Sequence, residues 1–133
     1  MSIIFSAFIP TLPKAKARPR FRKNGKSYTP KNTADAELLI KLAVARQWRQ
    51  KPVEGAVSLM LRVYLPRPKS AKKRELPTVK PDWDNYGKLV SDSLNGLVWK
   101  DDAQIVSAFV NKQYCDSEQP EPGYQITVVR EGG

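Results

Sequence analysis

Residues 57–65, VSLMLRVYL, alternate with a period of two. Val57, Leu59, Leu61, Val63 and Leu65 fall on one side, and Ser58, Met60, Arg62 and Tyr64 on the other. That period places successive side chains on opposite faces of a pleated strand, so the stretch reads as a half-buried strand. A strand with one apolar face needs partner strands and a covering layer, and the rest of the chain supplies both. Ser2–Ile9 is short, apolar and rich in β-branched and aromatic residues, a first strand ended by Pro10 and Pro13. Asn32 or Thr33 is placed to cap a helix running to about Gln50. Its buried stripe is Ala36, Leu39, Ile40, Ala43, Val44 and Gln47, with Asp35 and Glu37 in the first turn and Arg46 and Arg49 in the last to complement the helix dipole. Trp48 reads as a packing residue. After the break at Pro52–Gly55 and the alternating strand comes a second helix, Asn85–Leu94. Asp84 or Asn85 would cap it, Leu89, Val90, Ser93 and Leu94 form its stripe, and Asn95-Gly96 stops it. Ile105–Tyr114, with Val106, Ala108 and Val110 alternating, and Tyr124–Arg130, with Tyr124, Ile126 and Val128 on one face, are the closing strands. The fold expected is one α+β domain over residues 1–133, a mixed sheet of about four to five strands with two main helices packed on it.

Charge narrows the partners. The 133 residues carry a formal charge of +10, and the pI is near 9.9. Nucleic acid is the first polyanion such a balance points to, and an anionic membrane the second. No apolar run reaches the length of a membrane span and no signal peptide opens the sequence, so no membrane partner is expected. The single Cys115 excludes an internal disulfide and fits a reducing cytosol. The absence of histidine removes Ser-His and Cys-His nucleophile pairs, histidine-ligated zinc and histidine general bases together. Hydrolysis by this chain must run on carboxylates, lysines, tyrosines or a metal.

The cations gather in two places. Residues 11–31 hold Lys14, Lys16, Arg18, Arg20, Arg22, Lys23, Lys26 and Lys31 without one acid, and Asn24-Gly25 makes a turn that suits a basic β-hairpin. Residues 66–80 hold Arg67, Lys69, Lys72, Lys73, Arg74 and Lys80 against Glu75 alone, in a Pro-rich loop read as flexible. Charge runs are commonly just solvated surface. Unopposed cations nonetheless repel one another unless an anion is near, which assigns both segments to phosphate contact with DNA.

The acids gather too. Five of the thirteen Asp and Glu residues lie between Lys80 and Gln104: Asp82, Asp84, Asp92, Asp101 and Asp102. In an extended segment Asp82 and Asp84 share a face with Cα atoms roughly 6.5 Å apart. Lys88 lies four residues after Asp84 and four before Asp92, so it projects from the same side of the helix. A hard divalent cation takes oxygen ligands from carboxylates, water and substrate phosphate. Clustered carboxylates in a strongly cationic chain therefore point to metal-assisted phosphodiester cleavage. Taken singly, D-x-D is more often a cap and D-D a solvated turn; their conjunction carries the reading.

The pattern Pro81, Asp82, Asp84, Asn85, Lys88, then Asp92, Leu94, Asn95, Gly96, then Asp101, Asp102, Ala103, Gln104, Ile105 resembles the RusA family of Holliday-junction resolvases. A weaker echo upstream, Lys16 to Phe21 and Tyr28 to Pro30, resembles members carried by phages and prophages. The resemblance implies a small homodimeric endonuclease that needs Mg²⁺, with Mn²⁺ as an alternative, no small-molecule cofactor, and four-way or branched DNA as partner. It implies paired symmetric nicks leaving 5′-phosphate ends, in the cytoplasm of a bacterial or phage-infected cell, in DNA recombination and repair. It makes Asp82, Asp84 and Asp102 the essential carboxylates with Lys88 next to them; Asp101 joins them as a metal ligand, and Asp92 is read as the structural partner of Lys88. Two other classes stay open at this point: a metal-dependent nuclease acting on flaps, other branched DNA or RNA, and a basic DNA-binding module without catalysis. A ribosome- or RNA-associated basic protein ranks behind both, since such proteins rarely need these paired acids.

Overall fold

The computed structural model describes residues 1–14, 20–21, 27–28 and 31–132, with side chains at 1–14 and 33–132. The alternating strand forms over the residues that predict it, β4 at Val57–Leu65, with Val57, Leu59, Leu61 and Val63 sealed in the core. Around it stand β1 (Ser2–Ile9), β5 (Ile105–Tyr114) and β6 (Gly123–Arg130), in the spatial order β1-β6-β4-β5. β6 runs antiparallel to both neighbours, whereas β5 runs parallel to β4. A parallel pair needs a crossover, and this one contains the basic loop 66–80 and helix α2 (Trp83–Leu94). A short pair, β2 (Arg20–Phe21) and β3 (Ser27–Tyr28), is antiparallel, as expected for the basic hairpin; its turn lies outside the described residues. The α+β architecture read from the sequence, a mixed sheet of four strands with two helices, is the one observed.

Helix α1 (Lys31–Ala45) and α2 contribute Ile40, Val44, Tyr86, Leu89, Val90 and Leu94 to one core with the inward residues of the sheet. Burying each such side chain is worth about 1.5–3 kcal/mol. Several expectations for α1 are corrected. It starts at Lys31, which puts Thr33 inside the helix and buried rather than at the cap, and puts Asp35 and Glu37 beyond the first turn. It stops at Ala45, not Gln50, because the amides of Gln47 and Trp48 both bond to the Val44 carbonyl (2.9 and 2.8 Å). That tightened turn swings Trp48 inward, edge-on to Phe5 at 6.3 Å between ring centres. Arg46 and Arg49 therefore follow the helix instead of ending it. Leu39 is 44% exposed and Gln47 is exposed, so the buried stripe is Thr33, Ala36, Ile40, Ala43 and Val44.

β5 is an edge strand, and its alternation misleads. The pattern places Val106 and Ala108 inward, yet Val106 is 63% exposed, because the register shifts between Val57 and Ser58 and leaves Val106 as the extra residue between Ile105 and Ser107. Ala108, opposite the buried Leu59, is exposed in an open groove beside Gly87. Gly87, unfavourable in a helix by its backbone freedom, has a packing reason. A Cβ there would stand 3.2 Å from Val110 Cγ2, so α2 lies close upon β5. No helix among the described residues is long and apolar enough to cross a membrane.

Candidate active site

The start of α2 sets the first pair of acids. The helix begins at Trp83 rather than Asn85, and Asp82 holds the N-cap position in an extended conformation (φ −70°, ψ 157°) without a side-chain capping bond. The Asp82 carbonyl accepts instead from the Asn85 amide at 3.2 Å. Asp84 thus lies in the first helical turn, which corrects the expectation that Asp82 and Asp84 share a face of an extended segment. Both still line one open groove, with Thr78, Val79, Lys80, Trp83 and Lys112. From Asp84 the helix carries Lys88 and Asp92 down the same face at intervals of four. Lys88 Nζ stands 3.2 Å from Asp92 Oδ1 and 4.0 Å from Asp102 Oδ2. Asp84 and Lys88 also border a second, mainly apolar groove over Leu59, Gly87, Ala108 and Val110.

Asp102 arrives by a tight return of the chain. Asn95 ends α2, Gly96 takes a left-handed conformation (φ 80°), and its amide bonds to the Trp99 carbonyl at 2.8 Å. The Trp99 ring is fully buried, and its Nε1–H donates to Asp102 Oδ1 at 2.8 Å. Asp101 caps the following 3₁₀ turn, Asp102–Gln104, by accepting from the Ala103 amide at 2.8 Å. Gln104 completes a capping box: its Oε1 accepts from the amides of Lys100 (2.9 Å) and Asp101 (3.0 Å). Its Nε2 donates to the carbonyls of Val53 and Gly55, both at 2.9 Å. Trp99 and Gln104 together fix where Asp102 points.

The Asp102 carboxyl has a pKa raised above the ordinary aspartate value. Burial pushes it up, the Trp99 hydrogen bond pulls it down, the neighbouring Asp92 carboxylate pushes it up again, and Lys88 pulls it down. Asp92 therefore does two things. It pairs with Lys88 as its spacing predicts, and it stands close enough to Asp102 for the two acids to repel.

The four expected metal ligands do not close on one point. Asp92, the partner of Lys88 and neighbour of Asp102, is eight residues from Asp84 on α2, about 12 Å along the axis at the helical rise. Among the described residues no three acidic side chains surround a common position. The arrangement is a strip: Asp82 and Asp84 at the helix start, Lys88 in the middle, Asp92 and Asp102 beyond it. Mg²⁺ fits such donors, since it is commonly held by one or two carboxylates and keeps several waters. The chemistry of the oxygen donors suits the ion; a cage of four carboxylates does not form.

The basic segments divide. Lys16, Arg18, Arg22, Lys23 and Lys26, and the Arg20 side chain, lie outside the described residues. The Lys14 side chain is exposed while its backbone is fixed, its amide donating to the Tyr124 hydroxyl (2.8 Å) and its carbonyl accepting from it (3.0 Å). Lys69, Lys72, Lys73, Arg74 and Lys80 are exposed. Arg67 instead binds the protein's own backbone. Its Nε donates to the Cys115 carbonyl (3.1 Å), its Nη1 to the Lys72 carbonyl (2.9 Å), and it lies 5.5 Å from the centre of the Tyr114 ring. The loop read as flexible is thus pinned at its start by Arg67. At its end Lys112 holds the carbonyls of Val79 (2.7 Å) and Pro81 (2.8 Å). Lys112 escapes a sequence reading, because a lone lysine on a strand carries no pattern. Trp83 escapes as well, 59% exposed between the two acids at the helix start.

The profile of endodeoxyribonuclease RusA matches residues 10–128. The chain belongs to the RusA family. A protein of Bacillus subtilis (strain 168), uncharacterized protein YqaN, is 38% identical over 131 residues, covering 88% of this chain and 91% of its own length. The RusA match spans the whole acidic strip and both basic segments, so the family of DNA endonucleases and the geometry meet on the same residues.

Proposed function

We propose that this RusA-family chain is a Mg²⁺-dependent endonuclease that resolves Holliday junctions by paired, symmetric nicks in recombination and repair. One observation carries the reading: Lys88 stands between two groups of carboxylates on an open face of a strongly cationic endonuclease-family chain. Asp82 and Asp84 would hold the ion at the start of α2, and Asp102, backed by Asp92, supplies the further carboxylate. When bound, Mg²⁺ lowers the pKa of a coordinated water and neutralises charge on the leaving 3′ oxygen; Mn²⁺ is expected to substitute. Lys88 offers a point charge to the non-bridging oxygens of the scissile phosphate. The open backbone N–H groups at the start of α2 favour a phosphate oxygen beside them. Trp99 holds one Asp102 oxygen, which leaves the other directed toward Lys88. Asp101, already capping the 3₁₀ turn, acts by setting Asp102 and adds at most one free oxygen.

Lys80 lines the Asp82 groove; with the exposed Lys69, Lys72, Lys73 and Arg74 of the same loop it would track the phosphate backbone, and Lys14 and the cations of 16–26 would offer further contacts. Two matched nicks require two active sites related by a two-fold axis, so the working unit is a homodimer. The single Cys115 suits a reducing cytosol. The test compares a synthetic mobile four-way junction, a 5′ flap, linear duplex and an RNA stem-loop at matched salt, with and without Mg²⁺. The reading expects paired nicks in the junction above all other substrates. Preferred cutting of the flap or RNA transfers the chemistry to another substrate. Salt-sensitive binding without any Mg²⁺-dependent product leaves a non-catalytic DNA-binding module.

A further inference from the structure

We propose that Lys112 is a positioning residue for Asp82, holding it in place for the metal by clamping two backbone carbonyls just before it. This rests on the reading of Asp82 as a metal ligand. Asp82 is exposed, and its carboxylate makes no capping bond to the helix it begins. What locates it is the backbone on either side. Downstream, the Asn85 amide holds the Asp82 carbonyl at 3.2 Å. Upstream, the Lys112 ammonium donates to Val79 O at 2.7 Å and Pro81 O at 2.8 Å, so the chain is gripped on both sides of Lys80.

The grip comes from a rigid element. Lys112 sits within β5 directly opposite Val63 of β4, whose side chain is fully buried. A lysine there is costly unless its protons are used: an edge strand in a chain of charge +10 gains nothing electrostatically from one more cation. Two of its three donors are taken by carbonyls, and the side chain still borders the groove that contains Asp82 and Asp84. A lysine kept for DNA alone would leave its ammonium free for phosphate. Groups that orient a ligand without touching the ion characteristically carry 10–100-fold of metal affinity or activity.

The experiment uses the full chain with Lys112→Met, which keeps length and loses the ammonium, and Lys112→Arg, which can still donate to both carbonyls. Mg²⁺ binding is measured by calorimetry without DNA, hydrogen exchange is followed at the Asn85 amide, and junction affinity is measured without metal across a salt series. Lys112→Met is expected to bind Mg²⁺ about 10–100-fold more weakly and to exchange the Asn85 amide, which is bonded to the Asp82 carbonyl, faster. Metal-free junction affinity and its salt slope should stay as in the natural protein, and Lys112→Arg should recover most of the Mg²⁺ affinity. Unchanged Mg²⁺ affinity and exchange in Lys112→Met overturn the proposal while leaving the metal site standing. A drop in metal-free junction affinity, with the salt slope reduced by about one, overturns it in favour of a phosphate contact. No Mg²⁺ uptake by the natural protein removes Asp82 as a ligand, and both readings go together.

Discussion

Trp99→Phe separates the two things Trp99 does, filling the core and aiming Asp102. The ring is fully buried and its N–H meets Asp102 Oδ1 at 2.8 Å. A hydrogen bond to a charged group contributes about 1.5–3 kcal/mol. The Asp102 side chain is 26% exposed, so water replaces part of the lost bond and the lower figure applies. The smaller ring leaves a void of a few tens of Å³, adding up to about 1 kcal/mol at about 24 cal/mol per Å³. The sum is ~2–3 kcal/mol, or ~10 °C in Tm for a chain of this size. A double-mutant cycle with Asp102→Ala in urea, followed by circular dichroism, isolates the bond from the packing. The coupling should be at least ~1 kcal/mol, as for groups in direct contact. Coupling within ~0.3 kcal/mol of zero would mean that Trp99 does not hold Asp102, and the account of how the turn aims that carboxylate would fail.

Arg67→Ala should cost ~2 kcal/mol in urea denaturation through two lost carbonyl bonds and the Tyr114 contact, and Arg67→Lys should recover little of it, since an ammonium cannot reproduce the guanidinium fork. Asp101→Ala should cost about 1 kcal/mol as a lost cap, whereas Asp101→Ser, which keeps a capping oxygen, should cleave DNA at close to the natural rate; if Ser fails as badly as Ala, Asp101 is a ligand and not a cap. Burial pushes the Tyr124 hydroxyl pKa upward, and the Lys14 amide that donates to its oxygen only partly opposes this. The unfolded chain then releases that proton first, so the Tyr124 contribution is complete below about pH 10 and is lost as pH rises beyond it. Tyr124→Phe should flatten that alkaline limb of a stability–pH curve, and an unchanged limb would contradict the burial of the hydroxyl.

The sheet is readable because its central strands are covered on one face. Val57, Leu59, Leu61 and Val63 alternate in sequence and lie inward in space. β5 alternates as well, but the register shift at its start takes Val106 out of the alternation and leaves it exposed. The end of α1 is hidden because helical spacing continues to Gln47, while the turn in which Gln47 and Trp48 share the Val44 carbonyl ends the helix earlier and sets Trp48 against Phe5. At the site, spacing of four places Asp84, Lys88 and Asp92 on one face correctly. It carries no information on where the return through Gly96 delivers Asp102, so the split of the carboxylates to either side of Lys88 is not legible. Neither is Lys112, whose contacts exist only where the end of the loop meets β5.

The most direct test of the central claim is cleavage of a mobile four-way junction in Mg²⁺ by the natural protein beside Asp82→Asn and Asp102→Asn, with junction affinity measured on the same samples. The account predicts paired nicks from the natural protein and a fall of ~10³-fold or more in both variants, at unchanged junction affinity. Cutting by Asp82→Asn at the natural rate would contradict it.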